Sequence, residues 1–148
     1  MRVYIDTSVI GGLFDVEFEE PSHEFFTLVE SGEIVLVVSE LLQAELLRAP
    51  EIVRDQLKKY SKRQIEIVEL SEEAVNLADR YIAERVVGAT SRVDCQHIAI
   101  ATISRVEVLV SWNFKHIVNL RRIRGYNSVN LKNGYPMLEI RTPKEVLK

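Results

Sequence analysis

The sequence predicts an α/β protein in which a parallel β-sheet is covered by helices on both faces. Three observations predict it. Short runs of β-formers alternate with helical patterns in the order β-α-β-α-β-α-α-β-α-β. The run Ile34-Val35-Leu36-Val37-Val38 is apolar at every position, as suits a strand buried on both faces. The first and fourth β-runs stop abruptly in polar groups, at Asp6-Thr7-Ser8 and at Ser111-Trp112-Asn113. Ligands of open α/β sheets bind at the carboxyl ends of strands, so these endings mark the edge where chemistry is expected.

A chain of 148 residues, 47% hydrophobic, can bury one sizeable core, and a single domain over residues 1–148 is expected. There is no run of 18 apolar residues to span a membrane. Arg2 precedes only three apolar residues, so no signal peptide is visible. The single cysteine, Cys95, cannot form an internal disulfide, which fits a reducing cytoplasm. The net charge of −3 argues against a general nucleic-acid binder, but the charge is unevenly placed. From Val108 to Leu138 there is no Asp or Glu, while Lys115, Arg121, Arg122, Arg124 and Lys132 are all cationic. That segment reads either as a local phosphate-attracting surface or as a solvated helix face and loop.

Taken in order, Val3-Tyr4-Ile5 is a short buried strand and Val9 to Phe14 a short helix or turn loosened by Gly11-Gly12. Taken alone, Asp6, Thr7 and Ser8 read more readily as helix caps than as site residues; the polar endings of later strands at the same edge shift the balance toward a site. Pro21 stands near the start of a second helix, with Phe25, Phe26, Leu28 and Val29 as its apolar positions and Gly32 as its stop. After the second strand, Ser39 caps a helix from Glu40 to Ala49, closed by Pro50. At 100° per residue, Leu41, Leu42, Leu46 and Ala49 form one stripe, and Glu45 falls inside it. Glu40 points the other way, as a first-turn surface acid. A carboxylate on a buried face is costly unless it is paired or binds a cation, so Glu45 needs a salt-bridge partner, an exit to solvent or a function.

Glu51 to Tyr60 reads as helical and Ile65-Glu66-Ile67-Val68 as the third strand. Ser71 caps a helix with Ala74, Val75, Ala78, Tyr81, Ile82 and Val86 as its core face, ended by Gly88. Ser91 caps another from Arg92 to Ser104, apolar nearly all round from Ile98 to Ile103 and therefore deeply buried. Asp94 lies in its first turn, where macrodipole compensation alone would account for it. Cys95 and His97, two apart, cannot share a helix face and make no nucleophilic pair. Three scattered histidines and one cysteine supply no zinc spacing. Glu107-Val108-Leu109-Val110 is the fourth strand. A basic helix around His116 to Ile123, a Gly/Asn-rich loop to Pro136 and a last strand Met137 to Arg141 close the chain.

Three carboxylates thus have reasons to converge: Asp6 after the first strand, Glu45 on a buried helix face, and Asp94 at a buried helix start. Asn113, after the fourth strand, adds a fourth oxygen donor. An all-oxygen set suits Mg²⁺ or Mn²⁺ and not zinc, and such sites commonly serve phosphoryl chemistry without a histidine base.

At these residues the sequence resembles the PIN-domain nucleases, a family that includes the toxin half of many prokaryotic toxin–antitoxin pairs. The matching stretches are Tyr4-Ile5-Asp6-Thr7-Ser8-Val9, Ser39 to Glu45, Asp94 to Ala101, and Leu109-Val110-Ser111-Trp112-Asn113-Phe114. They run in the family's order from Arg2 to about Ile117, and Ile140-Arg141-Thr142-Pro143 is similar to an ending common in the group. The resemblance implies a three-layer α/β/α sandwich with a small parallel sheet and a cytoplasmic, Mg²⁺- or Mn²⁺-dependent endoribonuclease. It implies Asp6, Glu45 and Asp94 as metal-binding catalytic acids, Asn113 as a further ligand, and Thr7, Ser8 and Ser111 as their supports. RNA, contacted by Lys115, Arg121, Arg122 and Arg124, an antitoxin protein and a second copy in a homodimer are the partners it suggests. The departure is Asn113, where many members carry Asp, which puts a second tightly held metal in doubt.

Other classes fit less well. A haloacid-dehalogenase-like phosphatase needs a second Asp where Ser8 stands. Gly11-Gly12 is not the G-x-G-x-x-G turn of a dinucleotide binder. A receiver module would want an acidic pair near the first strand and a late Lys, and neither is evident. The remaining alternative is a PIN scaffold that binds RNA or protein without cleaving.

Overall fold

The computed structural model describes residues 1–147 and contains a five-stranded, wholly parallel sheet. The strands are β1 (Arg2–Ile5), β2 (Val35–Ser39), β3 (Ile65–Val68), β4 (Val108–Val110) and β5 (Ile140–Arg141), in the spatial order β3-β2-β1-β4-β5. The helices are α1 (Thr7–Gly12), α2 (Glu19–Glu30), α3 (Glu40–Leu46), α4 (Glu51–Arg54), α5 (Glu72–Ala83), α6 (Arg92–Ile103) and α7 (Leu120–Lys132).

Period-two alternation in the strands divides the core into two slabs. Val3 and Ile5 of β1, with Leu36, Val38, Val108 and Val110, pack against α1, α2 and α3. Tyr4, Val37, Leu109 and Ile140 point the opposite way, into the slab closed by α5, α6 and α7. The result is the three-layer sandwich. The chain winds from β1 outward to β3, then returns to lay β4 and β5 on the other side of β1. The direction of winding therefore reverses between β1 and β4, the position where open α/β sheets place a ligand crevice at the carboxyl ends of the strands. Among the described residues no helix is long and apolar enough to cross a membrane.

Several boundaries depart from expectation. The helix expected to run from Glu51 to Tyr60 is one turn of α-helix followed by a 3-10 turn over Gln56–Lys59. α5 stops at Ala83 rather than near Gly88; Arg85 takes the left-handed conformation (φ 60°) and Val86 N donates back to Tyr81 O. Ser91 makes no side-chain cap, since a 3-10 turn at Ala89–Ser91 leads directly into α6. Ser39 and Ser71 do cap, accepting from Leu42 N and Ala74 N at 3.1 Å each.

The largest departure is α7. The stretch expected as a Gly/Asn-rich loop is helical to Lys132, because tertiary partners override weak helix propensity. Buried Asn127 accepts from Leu138 N and donates to Leu138 O, guiding the chain into β5. Buried Asn130 accepts from the Tyr81 hydroxyl at 2.5 Å and donates to Thr102 Oγ1. Gly125 lets α7 lie against the end of α5, for a Cβ there would meet Val86 Cγ1 at 2.7 Å.

Candidate functional site

The site lies at the β1–β4 crevice. β1 delivers Asp6, which is buried, and the start of α1 and the turn after β4 supply its hydrogen-bond donors. Ser8 Oγ donates to Asp6 Oδ1 at 2.6 Å, and Ser111 Oγ, from the end of β4, donates to Oδ2 at 2.7 Å. The β4 loop is itself fastened: Trp112 N donates to Ser8 Oγ and Trp112 Nε1 to Ser22 Oγ, both at 2.9 Å. The indole fits because Gly12 has no Cβ, which would stand 2.7 Å from Nε1. Ser8 and Ser111 thus each donate to one oxygen of Asp6.

α3 brings Glu45 to the same edge. Its Oε1 accepts from Thr7 Oγ1 at 2.9 Å and is hydrogen-bonded to His97 Nε2 at 2.7 Å. Glu45 Oε2 takes no protein hydrogen bond among the described residues. Glu40, five residues earlier, is exposed. Asp94 stands half-buried in the first turn of α6.

The three carboxylates feel one another. Burial pushes the Asp6 carboxyl above its ordinary range, and the charge on Glu45 adds to that push against the opposing His97, Ser8 and Ser111. Burial, then the charge on Asp6, also raises Asp94, with Glu45 contributing in the same direction and His116 and His97 opposing. Burial acts upward on Glu45 as well, but the hydrogen bonds and charge of His97, with Thr7, outweigh it and hold its carboxyl below the usual range. Like charges on a partly buried edge want a counter-cation, and an all-oxygen donor set is what Mg²⁺ or Mn²⁺ takes. Each carboxylate oxygen has two lone pairs, so the serine bonds to Asp6 leave acceptor capacity. The acids fit a divalent cation, although among the described residues no three His, Cys, Asp or Glu side chains are drawn together tightly enough to form a finished cluster.

Asn113 does not join them. Its Oδ1 accepts from Lys115 N at 3.2 Å and His116 N at 3.0 Å, forming the turn beyond β4. Both lone pairs of a carbonyl oxygen are then occupied, which removes it as a ready ligand. The expected surface cations also divide. Lys115, Arg121 and Arg124 are exposed, whereas Arg122 donates to Val86 O beyond the end of α5 and is half-buried. Arg122 braces two helices.

His97 is the residue that sequence reasoning missed. Two positions from Cys95, it shares no face with that residue; three positions from Asp94, it falls on the same helix face. Cys95 is buried in the core, where its thiol is pushed up to about 12 by that burial, so it is no nucleophile.

The sequence pattern of the PIN domain matches residues 3–115, the span that contains every residue of this edge. A search of curated protein sequences found no match. Among solved structures, the chain is similar to Mycobacterium tuberculosis VapC20, described as a sarcin–ricin loop cleaving toxin. That similarity has a TM-score of 0.58 at 12% identity, over 76% of this chain and 91% of the other. It is also similar to VapBC2 from Rickettsia felis, bound to a DNA fragment from their promoter. Here the TM-score is 0.55 at 13% identity, over 96% of this chain and 98% of the other. At such identities these similarities concern the fold, and they agree with the three layers and the parallel sheet. With a domain pattern spanning most of its length and four motifs in order along one sheet edge, the chain belongs to the PIN-domain family.

Proposed function

We propose that this protein is a Mg²⁺- or Mn²⁺-dependent endoribonuclease, the toxin half of a toxin–antitoxin pair. What supports the reading is the mutual electrostatic influence of Asp6, Glu45 and Asp94 near the carboxyl ends of the strands, which together with burial raises two of the three. Bound there, a divalent cation would supply an activated water and neutralise charge at the scissile phosphate. The chain's own residues hold the acids ready for it. Ser8 and Ser111 fix the Asp6 carboxylate, and Thr7 and His97 fix that of Glu45. Lys115, Arg121 and Arg124 attract the RNA backbone from outside the acidic edge. RNA as substrate follows from the family resemblance and from the mycobacterial neighbour that cleaves the sarcin–ricin loop. An antitoxin partner, a homodimer and a cytoplasmic setting belong to the same reading.

The test is a metal titration followed by incubation with RNA. Cleavage should appear with Mn²⁺ or Mg²⁺ and disappear with chelator. RNA that is bound but left intact at saturating Mn²⁺ would instead identify a non-cleaving scaffold.

The basic helix gives a second expectation. Neutralising Arg121 and Arg124 together with Gln should raise KM about tenfold at low ionic strength while kcat holds. The slope of log affinity against log salt should fall by about 0.7 for each lost phosphate contact. A deficit that salt leaves unchanged would point to folding or assembly rather than to RNA.

A further inference from the structure

His97 is only 2% exposed, among buried neighbours on α6 that are mostly apolar, and a buried imidazole needs partners. It has one on each nitrogen. Nε2 meets Glu45 Oε1 at 2.7 Å and Nδ1 meets the Tyr4 hydroxyl at 2.6 Å. Tyr4 is fully buried, and its hydroxyl lies 2.8 Å from Ser39 Oγ. Ser39 accepts from Leu42 N and so caps α3, the helix that carries Glu45. The contacts close on themselves: Ser39 caps the helix of Glu45, Glu45 bonds His97, His97 bonds Tyr4, and Tyr4 returns to Ser39.

Each member also lies within a few residues of one of the three acids or at the cap of its helix. Tyr4 precedes Asp6 by two residues on β1, Ser39 leads into the helix of Glu45, and His97 follows Asp94 by three residues on α6. We propose that this buried ring of Ser39, Tyr4 and His97 sets the mutual placement of the three acids, with His97 as the positioning residue for Glu45. The proposal rests on the metal-site reading above. Glu45 is one-third exposed on a seven-residue helix, and its side chain has several rotatable bonds. Holding Oε1 between His97 and Thr7 selects one rotamer and leaves Oε2 for the site. Outer-shell partners of this kind typically contribute 10–100-fold to metal affinity or activity.

The experiment uses the full chain with His97→Leu, His97→Gln and Tyr4→Phe. Mn²⁺ binding is measured by calorimetry, and kcat and KM for RNA at saturating Mn²⁺. His97→Leu should weaken Mn²⁺ about 10–100-fold and lower kcat, leaving KM unchanged. His97→Gln, whose amide can donate to Glu45, should recover most of the loss. Tyr4→Phe should fall between. A folded His97→Leu that binds Mn²⁺ as the parent does overturns the proposal. Should His97→Leu fail to fold, Tyr4→Phe removes a single oxygen and decides by the same titration, unchanged affinity again overturning it. The parent separates the two ideas: a parent that binds Mn²⁺ and cleaves, with variants that match it, defeats the ring alone. A parent that neither binds nor cleaves defeats the metal-site reading and the ring with it.

Discussion

Asp94→Asn should abolish metal-dependent RNA cleavage, by well over a hundredfold, because the loss of a carboxylate ligand exceeds the 10–100-fold cost typical of an outer-shell partner. The fold should be unharmed. Asp94 has its carboxyl raised by burial and by Asp6, so its ionised form is disfavoured in the folded state. A group whose folded pKa lies above its unfolded value binds more protons when folded. Stability therefore falls as pH rises between the two values, and the cost is fully present above the folded one. Removing the charge should leave Tm at pH 7.5 equal to or above the parent's, and the gap should close as the pH is lowered. The second measurement is metal. At a hundred times Kd, Mn²⁺ should stabilise the parent by about 2.7 kcal/mol, roughly 5–10 °C in Tm, and should barely move the variant. Full activity in the variant, with contaminating nuclease excluded, would remove Asp94 from the site.

Glu45→Gln should be as inactive but should move stability the other way. Hydrogen bonds from His97 and Thr7 hold the Glu45 carboxyl below its ordinary range despite burial. Its contribution to stability is present above the unfolded pKa and is lost as pH falls through the folded one. Gln at 45 should therefore lower Tm modestly at pH 7.5, where Asn at 94 does not. Glu40→Gln is the control. Glu40 is exposed in the first turn of the same helix, where a carboxylate contributes at most about 0.3–1 kcal/mol through the helix dipole. Its activity should be unchanged. Equal losses from the two substitutions would mean that the helical phase of α3 has been misread.

That phase argument shows where sequence suffices. Glu45 falls among Leu41, Leu42, Leu46 and Ala49 by arithmetic alone; in the structure α3 ends at Leu46, short of the expected Ala49, and Glu45 stands one-third exposed, bonded to Thr7 and His97. The parallel sheet was legible because its strands are short β-branched runs whose ends change character within one residue. α7 was not legible. Asn127 and Asn130 are poor helix formers by composition, and their amides are helical because Leu138, Tyr81 and Thr102 engage them. Asn113 matched its motif in order, yet spends its oxygen on a turn, a choice that spacing does not reveal. His97 lay within reach of helical arithmetic, but the Tyr4 and Ser39 partners required knowing which strand faces α6.

The reversal of winding between β1 and β4 also governs the order in which this protein can be assembled. β1 is made first, yet one of its two edges waits for Val108–Val110, more than a hundred residues later. Until then Val3, Tyr4 and Ile5 are the open margin of a three-stranded sheet, an apolar edge of the kind that pairs with other chains. Asp6 acquires its second hydroxyl donor only when Ser111 arrives behind β4. Contacts this distant in sequence are slow to form, because loop closure is needed before they can stabilise anything. A chain still emerging from the ribosome therefore carries the acids but not the crevice, and the full site comes into being only as its last third docks.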